Sequence, residues 1–245
     1  MMLGARTAAW AKSGEVPTAK DYVQDGLLGL WDAKENVGFG KHEANTLKWV
    51  DLSGNGRDVK FSSHDFYNFD SRSLEVSSAC TNGSSNIVKK PFSASEYTIE
   101  VCCEIPMTSR DCAIISVGGS ASAWAATMGY TLTSGSRRFS FYTMARGNVN
   151  LGGTIEYIGP MSLCMRCSRL TGDCEVFLNG NLLTSGVTTV TANLVILDKF
   201  YLANWNGARE GNIYKFFSVR VYDKFITDDE LATNYAIDKA RFRLP

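Results

Sequence analysis

Carboxylate pairs are the first residues in this chain that could carry out chemistry. Glycoside hydrolysis needs two carboxyl groups flanking the scissile bond, roughly 5–10 Å apart. The nearest candidates are Glu100 and Glu104, which share one face of a predicted strand. Four residues of extended strand separate them by about 13 Å, which is too far for that reaction. We therefore interpret both glutamates as part of a solvated strand face.

The histidines and the closest cysteine pair also lack the pattern of a reactive site. His42 and His64 are the two histidines of the chain, and neither has the spacing of a metal or nucleophile motif. Cys164-x-x-Cys167 has no second pair at comparable spacing, which a zinc ribbon requires. In a strand, these two thiols would also face opposite sides of the sheet. The sequence therefore predicts a protein that is not an enzyme.

A glycine-rich loop holds residues that could either ligate a metal or shape a turn. Asp51, Asn55 and Asp58 could offer oxygen ligands to calcium, as a hard cation requires. Asp51 and Asn55 could instead satisfy backbone donors in an Asx turn, with Gly54 and Gly56 taking unusual dihedral angles. The sequence leaves both interpretations open. No cofactor is required, and a structural calcium is the one that this loop could hold.

Aromatic residues near predicted strand ends and loops are the remaining binding signal. Trp205 combines a large apolar ring with the hydrogen-bonding neighbours Asn204, Asn206 and Arg209, a mixture suited to orienting a polyol such as a sugar. The alternative is an aromatic ring packed at the rim of the core. Further candidates of the same kind are Trp124, Tyr130, Tyr142, Tyr157 and Tyr201.

The seven cysteines indicate a chain that folds with reduced thiols. Their number is odd, so at least one thiol stays unpaired in any disulfide scheme. Cysteine is among the most buried residue types, and we predict that most of these thiols are buried. Met1 to Trp10 contains no apolar run long enough for a signal peptide, so folding in the cytoplasm is expected.

Charge and hydropathy narrow the range of partners. Lysine and arginine number 25, as do aspartate and glutamate, which argues against the basic excess of a broad nucleic-acid footprint. No stretch approaches the roughly 20 apolar residues of a membrane-spanning helix. Neither nucleic acid nor a membrane is therefore an expected partner.

Period-two alternation predicts antiparallel strands along most of the chain. Residues 98–105 alternate most regularly, and further strands are predicted near 28–31, 139–144, 162–169, 174–178, 200–203 and 213–222. Asn179-Gly180 accepts positive φ at both central positions of a type I′ hairpin turn. At the end of the chain, Thr227 and Glu230 form a capping-box pattern that predicts a C-terminal helix of three to four turns.

The chain divides into a short N-terminal segment and one domain. Residues 1–24 are rich in Ala, Lys, Ser and Thr without a sustained period, and we interpret them as a tail or attachment segment outside the core. The strand pattern begins at Tyr22 to Gly26, so residues 25–245 are predicted to form a single domain. A protein partner or neighbouring subunit is expected to bind the segment 1–24.

Three segments resemble the laminin-G-like domains of the concanavalin A-like superfamily. Residues 25–32, Asp-Gly-Leu-Leu-Gly-Leu-Trp-Asp, look like the opening strand of these domains. Residues 49–58, Trp-Val-Asp-Leu-Ser-Gly-Asn-Gly-Arg-Asp, resemble their Ser-Gly-Asn-Gly turn, and residues 219–231 resemble their closing strand and helix. The resemblance implies an all-β fold: a two-sheet antiparallel jelly-roll sandwich with a short C-terminal helix.

The resemblance does not point to one function, because concanavalin A-like sandwiches include lectins, glycosidases, adhesion modules and virion parts. The Glu-x-Asp-x-x-Glu cluster of jelly-roll glycanases does not occur in this sequence. Residues 3–10, Leu-Gly-Ala-Arg-Thr-Ala-Ala-Trp, are similar to a segment that precedes this domain in proteins of gut bacteria, phages and prophages.

These observations lead to the hypothesis of a non-catalytic, glycan-contacting or assembly-forming module. The implied location is a phage particle, as part of a fibre or decoration, or a bacterial surface. One alternative is a purely structural decoration protein that binds no small ligand. A glycoside hydrolase or lyase is the third possibility.

Overall fold

The computed structural model describes residues 15–36, 48–60, 66–68, 72–77, 86–105, 112–118, 124–133, 136–143, 159–168, 170–187, 195–202 and 213–245. Short strands joined by turns dominate these residues, as the alternating sequence predicts. The strands are β1 (Leu27–Asp32), β2 (Lys48–Trp49), β3 (Val59–Lys60), β4 (Phe66–Asn68), β5 (Ser73–Ser77), β6 (Asn86–Ala94), β7 (Glu96–Glu104), β8 (Cys112–Gly118), β9 (Trp124–Thr133), β10 (Ser136–Thr143), β11 (Pro160–Ser168), β12 (Asp173–Leu178), β13 (Asn181–Val187), β14 (Val195–Leu202) and β15 (Ile213–Tyr222).

Two antiparallel sheets collect the strands of the described residues. The first sheet has the order β13-β12-β11-β7-β15-β5-β4, and the second has the order β10-β9-β8-β14-β6-β3-β2. β15 pairs with β7 along one side, and with β5 and then β1 along the other side. The prediction of an all-β, two-sheet antiparallel sandwich is confirmed.

The main core lies between the two sheets. On β7 the alternation holds as predicted, because Ile99, Val101 and Cys103 are buried against residues of the second sheet such as Ile115 and Met128. Burial of this inner face is nearly complete, with each of these five residues at most 1 % exposed. Removing so many large apolar side chains from water supplies the main stabilisation of the sandwich.

The C-terminal helix α2 (Asp228–Phe242) begins at the capping box that the sequence predicts. The Glu230 amide donates to Thr227 Oγ1 at 3.3 Å, and the Thr227 amide donates to Glu230 Oε2 at 2.9 Å. This capping box satisfies amides that the first turn leaves without partners. Among the described residues no helix is both long and apolar enough to cross a membrane. A single helical turn, α1 (Ala33–Asn36), follows β1.

Helix α2 covers the outer face of the first sheet, and this corrects one expectation. Glu100 and Cys102 belong to the β7 face that the sequence analysis interpreted as solvated, yet they are 2 % and 0 % exposed. A second apolar cluster lies on this face and includes Cys164, Leu231 and Ile237. Side chains of the first sheet and of α2 therefore bury a strand face whose polar sequence predicted exposure to solvent.

Part of the N-terminal segment belongs to this second cluster. Ala19, Tyr22 and Val23 are 2–4 % exposed and pack with residues of α2. The Val23 amide donates to Asn234 Oδ1 at 3.0 Å. The interpretation of residues 1–24 as a tail outside the core is therefore wrong for Ala19, Tyr22 and Val23, while Lys20 and Asp21 are exposed. Residues 1–14 lie outside the described part of the chain.

The predicted hairpin turn between β12 and β13 is present. Asn179 and Gly180 have φ angles of 50° and 74°, as a type I′ turn requires. A Cβ atom on Gly180 would come within 2.5 Å of the Tyr235 ring on α2. Glycine is therefore needed here for both the backbone angle and the packing of the helix.

Five cysteines have side chains that the structure describes, and all five are buried. The five whose side chains the structure describes are free thiols, which confirms the prediction for them. Cys164 lies in the cluster under α2, while Cys167 lies in the core between the sheets. The two thiols thus face opposite sides of β11, as strand geometry predicted. The five are Cys102, Cys103, Cys164, Cys167 and Cys174.

Candidate functional site

A group of buried ionisable side chains lies between the first sheet and α2. Arg220 on β15 donates from Nε to Glu100 Oε2 at 2.8 Å and from Nη2 to Asp238 Oδ2 at 2.6 Å. The Tyr22 ring lies over the guanidinium, 4.0 Å from centroid to carbon, and its hydroxyl donates to Asp238 at 2.8 Å. Asn234 completes the group by donating to Glu100 at 2.8 Å. We call these five residues the buried ionic cluster.

Burial sets the protonation of this cluster. Removal from water raises the pKa of Glu100, although the attraction of Arg220 opposes the shift. Burial alone would lower the pKa of Arg220, but the charges of Asp238 and Glu100 outweigh it and raise that pKa. The cation is therefore fixed, and its partners are held by several hydrogen bonds each. Such an arrangement orients the helix on the sheet.

A second arginine connects the C-terminal helix α2 with the segment before β1, with β1 and with α1. Arg241 near the end of α2 donates to Asp32 at 2.7 Å, to Glu35 at 2.6 Å and to the Pro17 carbonyl at 2.8 Å. Burial raises the pKa of Asp32, and Arg241 opposes that shift. This group joins β1, α1 and the N-terminal segment to the helix.

The carboxylates of these two groups are therefore structural. Glu100, Asp32 and Asp238 are at most 2 % exposed, and each has an arginine partner. Glu104, the other glutamate considered for hydrolysis, forms an ion pair with Lys215 at 3.0 Å. The structure brings neither Glu100 nor Glu104 into a pair that could flank a glycosidic bond.

The loop after β2 is organised by the hydrogen bonds of Asp51. Its Oδ1 accepts from the amides of Leu30 and Ser53 at 3.0 and 2.9 Å, and its Oδ2 accepts from the Arg57 amide at 2.8 Å. Asp58 accepts in turn from the Asp51 amide at 3.0 Å.

Asn55 and the two glycines complete this loop. Asn55 donates from Nδ2 to the carbonyls of Leu27 and Leu28 at 3.0 and 3.2 Å, and Gly54 and Gly56 adopt φ angles of 85° and 68°. The contact of Asp51 with the Ser53 amide is that of the Asx turn offered as one alternative, whereas Asn55 donates to backbone carbonyls and does not satisfy backbone donors as that alternative expected. Within the described residues, no group of three or more His, Cys, Asp or Glu side chains is arranged to hold a metal ion. Calcium binding by Asp51, Asn55 and Asp58 stays a prediction.

The second sheet carries a row of hydroxyl-bearing residues on the face opposite the core. The strand registers pair Tyr142 of β10 with Thr127 of β9, Thr127 with Ser116 of β8, and Ser116 with Tyr201 of β14. Residues that lie directly opposite one another across antiparallel strands share a face. These four positions therefore form a continuous row across four strands, which we call the tyrosine row.

The neighbours of the tyrosine row fix the face on which it lies. Met128, Ile115 and Leu202 each lie one residue from a member of the row, and all three are buried in the core at 0–1 % exposure. Successive residues of a strand belong to opposite faces. The tyrosine row is thus assigned to the outer face of the second sheet. Two of the six aromatic residues proposed as sugar contacts, Tyr142 and Tyr201, share this row.

The main predicted site cannot be located in the same way. Trp205, Asn204, Asn206 and Arg209 lie outside the described residues, as does Tyr157. Tyr130 and Trp124 lie on β9. The sequence analysis did not predict the buried ionic cluster, whose signal was Arg220 between the apolar residues Val219 and Val221 of β15.

Comparison with known proteins supports the fold but gives no family. No family model matches this chain, and no curated protein matches it. Among solved structures, Trypanosoma rangeli sialidase in complex with sialic acid is similar, with a TM-score of 0.59 and 15% identity over 93% of this chain and 34% of that chain.

Two toxin domains are also similar. The binding domain of Paraclostridial Mosquitocidal Protein 1 has a TM-score of 0.57 and 15% identity, and the receptor binding domain of botulinum neurotoxin D has a TM-score of 0.60 and 13% identity. Each match covers 86% of this chain and 52% of the toxin chain. This chain thus spans about a third to a half of the length of the proteins that it resembles. Identities this low show a shared all-β fold, which occurs here in an enzyme and in binding domains.

Proposed function

We propose that this chain is a non-catalytic module that contacts glycans through the outer face of its second sheet. The observation that carries the proposal is the tyrosine row. Sugar binding commonly combines aromatic faces with hydroxyl groups that fix orientation, and Tyr142, Thr127, Ser116 and Tyr201 provide both kinds of group in one register row.

The coverage of the first sheet by α2 supports the proposal that glycans contact the second sheet. Within the described part of the chain, α2 and the buried ionic cluster occupy the outer face of the first sheet, so we assign the ligand to the second sheet. The carboxylates that sequence analysis considered for hydrolysis are engaged by Arg220 and Lys215, which supports a binding role over catalysis. The likeness to a receptor binding domain and to another toxin binding domain agrees with that role.

The setting that we propose is the one that the sequence resemblance implies. The chain is a laminin-G-like jelly roll of a phage particle or a bacterial surface, folded in the cytoplasm. Residues 1–14 are the part of the N-terminal segment proposed to bind a protein partner or neighbouring subunit.

A glycan array with the full chain tests this function. The wild type is expected to bind at least one class of glycan, and the double variant Tyr142→Ala, Tyr201→Ala is expected to lose that binding. Leu182→Ala is the matched control, because Leu182 is 56% exposed on β13 of the other sheet. A folded protein that binds no glycan would favour a purely structural decoration protein. Release of reducing ends from a bound polysaccharide would contradict the non-catalytic assignment.

A further inference from the structure

We propose that Cys167 and Cys174 form a modification site, at which the two thiols are oxidised to a disulfide that joins β11 to β12. The oxidant is a small disulfide such as oxidised glutathione. The inference rests on the relative positions of two side chains in the first sheet and is independent of the proposed function. It adds an oxidised state to the reduced protein described above.

The strand register places the two cysteines directly opposite each other. Cys167 of β11 pairs with Cys174 of β12, and both side chains belong to the core between the sheets. Their exposed fractions are 3% and 0%. A side-chain hydrogen bond joins the two thiols. The sulfur atoms therefore lie next to each other, in addition to sharing a face of the sheet.

The hydrogen bonds of the hairpin show which kind of cross-strand pair the cysteines form. The Asn179 amide donates to the Ser162 carbonyl at 2.8 Å, so these two residues form a hydrogen-bonded pair. Hydrogen-bonded and non-hydrogen-bonded pairs alternate along an antiparallel ladder. Cys167 and Cys174 lie an odd number of pairs further along a register without a bulge, and they are therefore a non-hydrogen-bonded pair. The Cα atoms of such a pair are about 4.5 Å apart, within the range of roughly 4.4–6.8 Å that a disulfide spans.

Each of the other three described cysteines lies opposite residues that carry no thiol. The partners are Met161 and Phe216 for Cys103, Ser162 and Ser218 for Cys102, and Glu100 and Phe177 for Cys164. Within the described part of the chain, strand pairing therefore favours a disulfide at Cys167 and Cys174 alone.

Oxidation of the pair takes place by two thiol–disulfide exchanges. One thiolate of the pair attacks a sulfur of oxidised glutathione, which breaks that disulfide and releases one glutathione thiolate. The other thiolate attacks the protein sulfur of the mixed disulfide and releases the second glutathione thiolate. The protein loses two electrons and two protons, and the two glutathione molecules take them up.

Burial determines when the two thiols react. It raises the pKa of the Cys167 thiol, and the hydrogen bond with Cys174 raises this pKa further, so the folded protein contains little of the reactive thiolate. We therefore expect rapid oxidation during folding and slow oxidation of the folded protein, through local opening of the sheet. Burial also protects the finished disulfide from reductants. The disulfide then holds β11 and β12 together.

Refolding of the full chain with a mixture of oxidised and reduced glutathione tests the proposal. The remaining thiols are alkylated, and peptides are mapped without reduction. One cross-link is expected, between Cys167 and Cys174, with two fewer alkylated thiols than in protein refolded with a reductant. Cys174→Ala should lose this cross-link. Cys103→Ala should retain it and is the matched control, because Cys103 is a buried thiol of the same core without a thiol opposite it.

The cross-linked protein should also unfold at a higher temperature than the reduced protein, because the cross-link restricts the unfolded chain. The shift should be absent from Cys174→Ala. Alkylation of all seven cysteines after oxidative refolding would overturn the proposal, as would a cross-link from Cys167 to any other cysteine. If Cys174→Ala does not fold, the peptide map of the wild type still distinguishes these results. A cross-linked protein that unfolds no higher than the reduced one would overturn the stabilising role of the disulfide.

Discussion

Arg220 and Glu100 lie directly opposite each other on β15 and β7, with Nε and Oε2 2.8 Å apart and side chains 0% and 2% exposed. Five residues earlier on β15, Lys215 lies opposite Glu104 at 3.0 Å, with side chains 32% and 34% exposed. Both ion pairs join β15 to β7 through a basic residue and a glutamate. They differ in how far their side chains are exposed to water. Burial therefore decides how much each pair matters for stability.

Arg220→Met should destabilise the protein strongly. It leaves Glu100 and Asp238 buried without their cation, which costs about 3–5 kcal/mol of unfolding free energy. Lys215→Met removes the half-exposed pair and should cost about 1 kcal/mol or less. Chemical denaturation of both variants measures the difference. Equal losses would show that burial of the Arg220 pair is not what makes it important.

Glu100 should make stability depend on pH. Its pKa is raised by burial in the folded protein, so the folded state holds its proton more tightly than the unfolded chain does. The stability contributed by Glu100 is therefore fully present below the unfolded pKa of about 4.3, and is lost as pH rises through the folded pKa. In urea titrations at several pH values, the wild type should lose stability relative to Glu100→Gln as the pH rises over this range.

Glu230 provides a control with the opposite sign. Burial acts to raise its pKa, but hydrogen bonds from Lys224 and Thr227 outweigh burial and lower it. Its contribution is present above the unfolded pKa and is lost as pH falls through the folded pKa. The wild type should therefore lose stability relative to Glu230→Gln on acidification. Two variants with the same slope would contradict the assigned directions.

Two truncations should show which part of the N-terminal segment contributes to the stability of the fold. Deleting residues 1–24 removes the buried side chains of Tyr22 and Val23, and should lower the free energy of unfolding by about 3 kcal/mol or more. Deleting residues 1–14 retains every contact of the segment described above, and should leave the thermal midpoint close to that of the full chain. If both truncated proteins unfold at the same temperature, the packing of residues 19–23 contributes little.

Trp205→Ala tests the aromatic that sequence analysis ranked first. If Trp205 contributes to glycan binding, its loss should weaken binding by roughly 1–3 kcal/mol, the range of interface hot spots. Thermal stability should change little, because a rim indole contributes little to the core. Calorimetric titration of a glycan identified on the array, together with a thermal melt, gives both values. A large drop in the melting temperature would identify Trp205 as a packing residue.

Local sequence patterns predicted the local features of the fold. The capping box at Thr227, the Asn179-Gly180 turn and the alternation of β7 depend on residues within a few positions of one another, and all three are present. The burial of Glu100 could not be predicted in this way, because its cover comes from Asn234 and Asp238, more than a hundred residues further along the chain. A polar strand face has the same periodicity whether water or a helix covers it.

The candidate site was predicted only in part for the same reason. Sequence identified Tyr142 and Tyr201 as separate aromatic candidates but could not place them in one row. That row depends on the pairing of β10 with β9, β9 with β8, and β8 with β14. The packing of Tyr22 was missed because a short segment without periodicity looks the same whether it is buried or free.

The central claim is that glycans bind the outer face of the second sheet. It is tested most directly by backbone NMR of the full chain during titration with a glycan identified on the array. Chemical shifts are expected to change at Ser116, Thr127, Tyr142 and Tyr201, while Glu100, Cys164 and Arg220 of the first sheet stay unchanged. Changes confined to the first sheet and α2, with the tyrosine row unaffected, would contradict the claim.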